Sequence, residues 1–169
     1  MNYHNITTDD MKNGDGLRVV IWLSGCSLQC RSCFNPQTWD KDSGIPFTED
    51  TMNELIEKLD KPYISGLTIS GGHPLEAYNL DDVLDIVKTI KSRFHDKTIW
   101  LYTGYEYEYL FDMNNLKIFE ILDYVDVLVD GKFIEPLKDV NCPYRGSTNQ
   151  RLIDVQKSIK EGRTVLYES

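Results

Sequence analysis

Apolar runs of strand length alternate with segments of helical periodicity, and this alternation constrains the fold of the chain more than any other feature. Leu17–Leu23 is nearly continuous, as expected for a strand that is buried on both faces. Three later runs of strand length are Ile64–Ser70, Thr98–Tyr102 and Tyr124–Val129. Two weaker runs, which are candidates for further strands or edge pieces, are Arg151–Val155 and Thr164–Tyr167.

The segments between these runs carry helical patterns. Thr48 is placed to cap one helix, Asn79 is placed to cap a second, and Leu116–Leu122 lies in a third helical stretch. Alternation of this kind forms right-handed βαβ units, which predicts an α/β fold with a mainly parallel sheet. Because a closed eight-unit barrel needs about 250 residues, the prediction for this shorter chain is an incomplete, open βα barrel.

Length and charge limit the classes of function. With 169 residues the chain is expected to form a single domain, 1–169. The formal net charge of −9 argues against a nucleic-acid partner, which would need a basic face. The polar first ten residues do not resemble a signal peptide, and no apolar run is long enough to span a membrane. We therefore expect a cytoplasmic protein without a membrane partner.

Polar and glycine-rich segments follow four of the predicted strands. The carboxyl ends of parallel strands lie at one edge of a sheet, and active sites of α/β folds are built at that edge. Four consecutive loops are therefore expected to meet at one site. They are the cysteine loop, Gly71-Gly72-His73-Pro74, Thr103-Gly104-Tyr105 and Asp130-Gly131-Lys132.

Three cysteines, Cys26-x3-Cys30-x2-Cys33, lie in the loop that leaves the first of these strands. Cysteine thiolates are the usual ligands of iron–sulfur clusters. Three of them can hold three irons of a [4Fe–4S] cube, which leaves the fourth iron open to a small molecule. Because polar residues lie between the cysteines, the cysteine side chains are not expected to be part of the hydrophobic core.

Other interpretations of the cysteines stay open at this point. Zinc could be held by the three cysteines with His73 or Cys142 as the fourth ligand. Cys142 could instead close the cluster and produce an electron-transfer site with no open iron. We favour a buried or half-buried Cys142 without a catalytic role. A disulfide framework is disfavoured in a chain long enough to form a core.

The motifs together resemble a known family. The cysteine motif after the first of these strands, with Gly71-Gly72 after the second, resembles the radical S-adenosylmethionine superfamily. A finer resemblance is to the activating proteins of anaerobic (class III) ribonucleoside-triphosphate reductases. The segments that carry it are Asn13-Gly14-Asp15-Gly16, Ser24-Gly25-Cys26, Asn35-Pro36-Gln37-Thr38-Trp39, Trp100-Leu101-Tyr102-Thr103-Gly104-Tyr105, Val127-Leu128-Val129-Asp130-Gly131-Lys132-Phe133 and Arg145-Gly146-Ser147-Thr148-Asn149-Gln150-Arg151.

This resemblance implies a radical S-adenosylmethionine oxidoreductase with two cofactors, a [4Fe–4S] cluster on Cys26, Cys30 and Cys33 and S-adenosylmethionine on the open iron. In the family, one electron from the cluster cleaves S-adenosylmethionine, and the 5′-deoxyadenosyl radical takes a hydrogen atom from a glycine of the reductase. The implied partners are the large subunit of that reductase and a one-electron donor such as flavodoxin.

The resemblance also implies a set of cofactor-binding residues. The backbone of Ser32, Cys33 and Phe34 is the candidate for the adenine side, although Phe34 could equally be core. Many superfamily members have an aromatic residue at position 32. Gly71 and Gly72 lack Cβ atoms, so their backbone can approach the methionine end closely. His73 replaces the usual acid; it could hydrogen-bond the cofactor, but a turn histidine is more commonly exposed.

Several polar side chains have two interpretations each. Thr103, Tyr105 and Asp130 could face the site or cap their loops. Arg145 and Arg151 could dock the reductase or a nucleotide, or lie in a solvated loop. The tyrosines could mark a partner surface or an amphipathic edge; they are Tyr102, Tyr105, Tyr107 and Tyr109.

Two rival functions follow from the same sequence. One is a radical S-adenosylmethionine enzyme with another substrate, such as a pyruvate formate-lyase activase or a deazapurine synthase. The other is a non-enzymatic zinc or ferredoxin-like binding module.

Overall fold

A single seven-stranded sheet organises the protein. The computed structural model describes residues 1–168, and the strands lie in the order β3-β1-β2-β4-β5-β6-β7. The sheet is not closed into a barrel. The strands are β1 (Asn2–Asp10), β2 (Leu17–Leu23), β3 (Ile45–Pro46), β4 (Ile64–Gly71), β5 (Thr98–Tyr102), β6 (Val127–Asp130) and β7 (Arg151–Asp154).

The four central strands are parallel, as predicted, and the edges are antiparallel. β2 pairs with β4, β4 with β5, and β5 with β6 in parallel, whereas β1 pairs antiparallel with β2 and β7 with β6. The α/β class is therefore confirmed. The parallel centre places the carboxyl ends of β2, β4, β5 and β6 at one edge, where the predicted loops begin.

Residues 1–168 form five α-helices, four between successive strands and one after β7. The first begins after Thr48, as predicted, and the second follows a short 3₁₀ turn at Ala77–Asn79. Among residues 1–168, no helix has the length and apolar character needed to cross a membrane. The helices are α1 (Glu49–Leu59), α2 (Leu80–Arg93), α3 (Tyr107–Asp112), α4 (Leu116–Leu122) and α5 (Val155–Glu161).

Some predicted strand boundaries are wrong. β6 begins at Val127 because the residues before it form a turn, with the N–H of Tyr124 donating to Ile121. β7 ends at Asp154, since the carboxylate of Asp154 accepts the N–H of Lys157 and caps α5. The run at 164–167 forms an edge piece through a single bridge between Leu166 and Ile153.

The main core lies between the helices and one face of the sheet, and a smaller cluster around Trp100 covers the other face. Arg18 is fully buried on this second face. Its guanidinium donates to the hydroxyls of Thr68 and Thr98 at 2.9 and 2.8 Å and lies 5.5 Å from the ring centroid of Trp100. Burial lowers the pKa of Arg18 to about 10. Arg18 thus connects β2, β4 and β5 below the edge that carries the loops.

Candidate active site

Four loops meet at one cleft at the carboxyl edge of the parallel strands, as predicted. The cleft is lined by all three cysteines of the motif and by residues of the loops after β4, β5 and β6. It adjoins a second cleft of about 660 Å³, and the two share Leu28, Cys30, Lys132 and Phe133 in their walls. The convergence follows from the parallel pairing, which carries all four strand ends to the same edge.

The cysteine loop is anchored at its start. The N–H of Gly25 donates to Thr38 at 2.5 Å, and the N–H of Cys26 donates to Trp39 at 3.0 Å. Within the loop, the N–H of Cys33 donates to the carbonyl of Cys30 at 3.1 Å and forms a turn between these two cysteines. The Asn-Pro-Gln-Thr-Trp segment therefore positions the first cysteine.

The three thiols lie together in the wall of the cleft. All three are half-buried, and the N–H of Asn35 lies 3.4 Å from the sulfur of Cys33. Burial raises the pKa of the Cys26 thiol. Soft thiolates favour iron–sulfur clusters, and hydrogen bonds to sulfur tune such clusters. The buried indole N–H of Trp39, which lines the same cleft, has no acceptor among residues 1–168. These residues fit a [4Fe–4S] cluster with S-adenosylmethionine beside it.

The structure disfavours both His73 and Cys142 as a fourth ligand beside the three cysteines. Both ring nitrogens of His73 already have hydrogen-bond partners. Cys142 is half-buried, as favoured from the sequence, and does not line the cleft.

Gly71 and Gly72 pack directly against the segment that precedes the first cysteine. A Cβ on Gly71, whose φ is +100°, would lie 2.4 Å from the backbone nitrogen of Leu23, and one on Gly72 would lie 2.5 Å from the carbonyl oxygen of Gly25. The N–H of Gly72 donates to Leu23 at 2.8 Å, and the N–H of His73 donates to Gly25 at 2.7 Å. Close backbone approach is thus required by the fold itself, and it fixes the start of the cysteine loop.

The expectation of an exposed His73 is wrong. Only 2% of this residue is exposed, because its ring lies between two polar partners and packs on Tyr105 with 4.6 Å between the ring centroids. Nδ1 lies 3.2 Å from a carboxylate oxygen of Glu76, and Nε2 lies 2.7 Å from the hydroxyl of Thr103. Since a carboxylate can only accept, Nδ1 carries a proton and donates to Glu76.

Glu76 is a site residue that sequence reasoning missed. One carboxylate oxygen accepts the N–H of Ser27 at 2.8 Å and its O–H at 2.7 Å, in addition to the bond from His73. The hydrogen bond from His73, followed by those from Ser27, lowers the pKa of Glu76 to about 2. The spacing His73-x2-Glu76 on a turn was the only available signal. Glu76 thus connects the cysteine loop to the loop after β4.

Ser32 and Phe34 lie at the outer side of the cysteine loop. Ser32 is exposed and has a φ of +57°. Phe34 is 58% exposed, so the core interpretation is wrong; its ring centroid lies 5.0 Å from that of Phe133, and the Lys138 ammonium lies 5.5 Å from the Phe34 ring. Cys33 and Phe34 line the cleft. The structure therefore places Cys33 and Phe34 at the wall of the cleft, whereas Ser32 lies outside it.

Asp130 and Arg151 are structural partners. Asp130 is buried and accepts the N–H of Tyr107 at 2.9 Å, so it caps a loop. Arg151 forms ion pairs of 2.6 Å with Asp130 and with Glu108. The guanidinium of Arg145 donates to the carbonyls of Pro143 and Gln150, both at 3.2 Å.

The tyrosine-rich segment has no uniform exposure. Tyr107 is buried, Tyr102 and Tyr105 are half-buried, and Tyr109 is exposed. This distribution fits the amphipathic interpretation. Thr103 lines the cleft through its buried contact with His73.

Comparison with known proteins identifies the family. The chain matches the family model of a 4Fe-4S single cluster domain over residues 12–153. An anaerobic ribonucleoside-triphosphate reductase-activating protein of Enterobacteria phage T4 is 43% identical, over 90% of this chain and 93% of its own length. Proteins of the same name from Escherichia coli (strain K12) and Vibrio cholerae serotype O1 are 40% and 41% identical, over 89% of this chain and 96% of theirs. The resemblance seen in the motifs is confirmed: this chain belongs to the family of anaerobic ribonucleoside-triphosphate reductase-activating proteins.

Proposed function

We propose that this protein activates an anaerobic ribonucleoside-triphosphate reductase by generating a glycyl radical on it. The observation that carries the proposal is the placement of three half-buried thiols at one cleft, with the fourth cysteine of the chain outside that cleft. Such a ligand set leaves one iron of a cube without a protein ligand. The names of the relatives support the same activity.

The residues of the cleft divide the binding work. Cys26, Cys30 and Cys33 hold a [4Fe–4S] cluster, which supplies the electron for reductive cleavage of S-adenosylmethionine. The backbone of Ser32–Phe34 takes the adenine side, since Cys33 and Phe34 of this segment line the cleft. Gly71, Gly72 and His73 line the cleft on the methionine side.

The chain works as one domain, 1–169, with the fold of an incomplete βα barrel of the radical S-adenosylmethionine type. Support comes from the four parallel strands and from the cofactor-binding residues at their carboxyl ends. The antiparallel strands β1 and β7 flank the parallel centre, so a closed ring of eight βα units is not formed.

The partners are the large subunit of the reductase and a one-electron donor such as flavodoxin, met in the cytoplasm. The low-potential cluster needs such a donor, and thiol ligands persist in a reducing compartment. Neither nucleic acid nor membrane is expected among the partners, because the net charge of −9 repels phosphate-rich surfaces.

The test uses the complete system under anaerobic conditions. The protein is reconstituted with iron and sulfide, then mixed with dithionite, S-adenosylmethionine and the reductase. Electron paramagnetic resonance should detect a glycyl radical on the reductase that depends on each component. S-adenosylmethionine cleavage without a radical on the reductase would instead favour another substrate within the superfamily. A colourless protein that holds zinc would favour a binding module.

A further inference from the structure

Glu76 is a buried anion at the base of the cysteine loop. Its exposed fraction is 9%, and its ion-pair partner among residues 1–168 is His73. No Lys or Arg side chain within residues 1–168 forms an ion pair with Glu76; Arg31 and Arg151 pair with other acids. Hydrogen bonds from His73 and Ser27 stabilise the negative charge of this buried carboxylate.

The hydrogen bonds of Glu76 reach the residue directly after the first cluster ligand. Both the N–H and the O–H of Ser27 donate to the same carboxylate oxygen, at 2.8 and 2.7 Å. Because Ser27 follows Cys26 in the chain, these bonds fix the peptide that carries the Cys26 side chain. The other end of that peptide segment is held by the bond from Cys26 to Trp39.

The charge of Glu76 acts on its surroundings. It contributes to the raised pKa values of two phenols, those of Tyr78 and Tyr105, after the larger effect of burial at each. These two tyrosines lie on the segments that follow β4 and β5. An anion so placed opposes any further negative charge in the cleft.

We propose that Glu76 is a positioning residue that lowers the reduction potential of the cluster. It acts through Ser27 on the ligand Cys26, and it adds a fixed negative charge beside the site. Net charge and hydrogen bonding around a cluster set its potential, and a nearby anion disfavours the added electron. The inference rests on the proposed function only for the presence of the cluster.

His73 and Thr103 belong to the same arrangement. His73 donates one ring N–H to Glu76, and its other nitrogen is engaged by Thr103. The ring of His73 thereby holds the carboxylate of Glu76 against the cysteine loop, and no lysine or arginine within residues 1–168 forms an ion pair with this carboxylate. Glu76, rather than His73, is the residue that carries the fixed charge.

The experiment measures the cluster potential of reconstituted protein by anaerobic redox titration, with iron content measured in parallel. Glu76→Gln keeps the size and an acceptor oxygen but removes the charge. We expect wild-type iron content and a potential about 59 mV more positive, which is a tenfold change in the ratio of reduced to oxidised cluster. Glu76→Asp keeps the charge and should shift the potential much less. Glu57→Gln, on the exposed side of α1, is the matched control and should give the wild-type value.

Each outcome decides between the proposal and a purely structural role. A wild-type potential in Glu76→Gln would overturn the proposal, as would equal shifts in the Gln and Asp variants. If Glu76→Gln fails to hold iron, the Asp variant decides: a full cluster at the wild-type potential supports the proposal, and loss of iron there as well overturns it. The readout is independent of S-adenosylmethionine cleavage, so failure of the proposed activity in the wild type would be recognised separately.

Discussion

The ring nitrogen Nε2 of His73 lies 2.7 Å from the hydroxyl of Thr103, thirty residues further along the chain. This buried contact joins the loop after β4 to the loop after β5. The same hydroxyl accepts the N–H of Tyr105 at 3.2 Å, so it forms hydrogen bonds with both His73 and Tyr105. Through Glu76, the contact extends to the cysteine loop. The edge of the sheet is therefore held together by polar side chains that come from three different loops.

Replacing Thr103 by Val should separate two of these loops. The isosteric change leaves Nε2 of His73 buried without a partner, which costs about 1–3 kcal/mol. Urea unfolding of the variant should show this loss of free energy of unfolding. Thr8→Val, at an exposed position of β1, is the control and should change the stability little. Equal stability of the two variants would contradict the importance of this contact.

Gly72→Ala should disturb the cysteine loop. Its Cβ would lie 2.5 Å from the carbonyl oxygen of Gly25, a backbone atom that cannot move aside without shifting the loop. Overpacking of this kind costs about 1–3 kcal/mol, and we also expect less iron to bind after reconstitution. Gly162→Ala has a φ of +67° but no neighbouring atom within 4 Å. It should lose stability through backbone strain and keep its full iron content.

Stability should depend on the ionisation of Glu76 in acid. Its pKa is lowered from 4.5 to about 2 by the bonds from His73 and Ser27, so the folded state favours the carboxylate more than the unfolded chain does. This contribution is present above pH 4.5 and is lost as the pH falls toward 2. In protein without cluster, the free energy of unfolding of Glu76→Gln should fall less steeply across that interval than that of the wild type. Parallel curves would contradict the assigned shift.

Phe34→Ala separates a backbone role from a side-chain role at the adenine side. Since Phe34 is 58% exposed, truncating it should change the free energy of unfolding by only about 0.5 kcal/mol. The affinity for S-adenosylmethionine, measured on the reconstituted protein, should stay within about twofold if the backbone makes the contact, an energy change under 0.5 kcal/mol. A tenfold weaker affinity would show that the ring itself contacts the cofactor.

The sequence was most informative for strands that are buried on both faces of the sheet. The observed bounds of two strands, Leu17–Leu23 and Thr98–Tyr102, agree with the prediction. A strand that is covered on both faces has a continuous run of apolar residues, which is easy to recognise in a sequence. β1 was missed, since it is a mostly polar strand between β2 and the two-residue edge strand β3, and Tyr3 is its buried residue. Its pairing depends on β2, which no local pattern reveals.

The site could be predicted only to the level of its motifs. The cysteine spacing and the strand-end loops pointed to the cleft before any geometry was known. The burial of His73 depends on Thr103, which lies 30 residues away in the sequence. The role of Glu76 depends on Ser27, which lies 49 residues away. A single histidine or glutamate on a turn belongs to no periodic pattern, so the sequence around it does not indicate a contact with a distant residue.

The proposed function requires that Cys26, Cys30 and Cys33 hold a cluster that cleaves S-adenosylmethionine. The most direct measurement is the anaerobic formation of 5′-deoxyadenosine by reconstituted wild type, Cys30→Ala and Cys142→Ala, with dithionite as reductant. We predict product from the wild type and from Cys142→Ala, and none from Cys30→Ala. If the wild type holds a complete, reducible cluster yet forms no product even with the reductase present, the site is closed and the account is wrong.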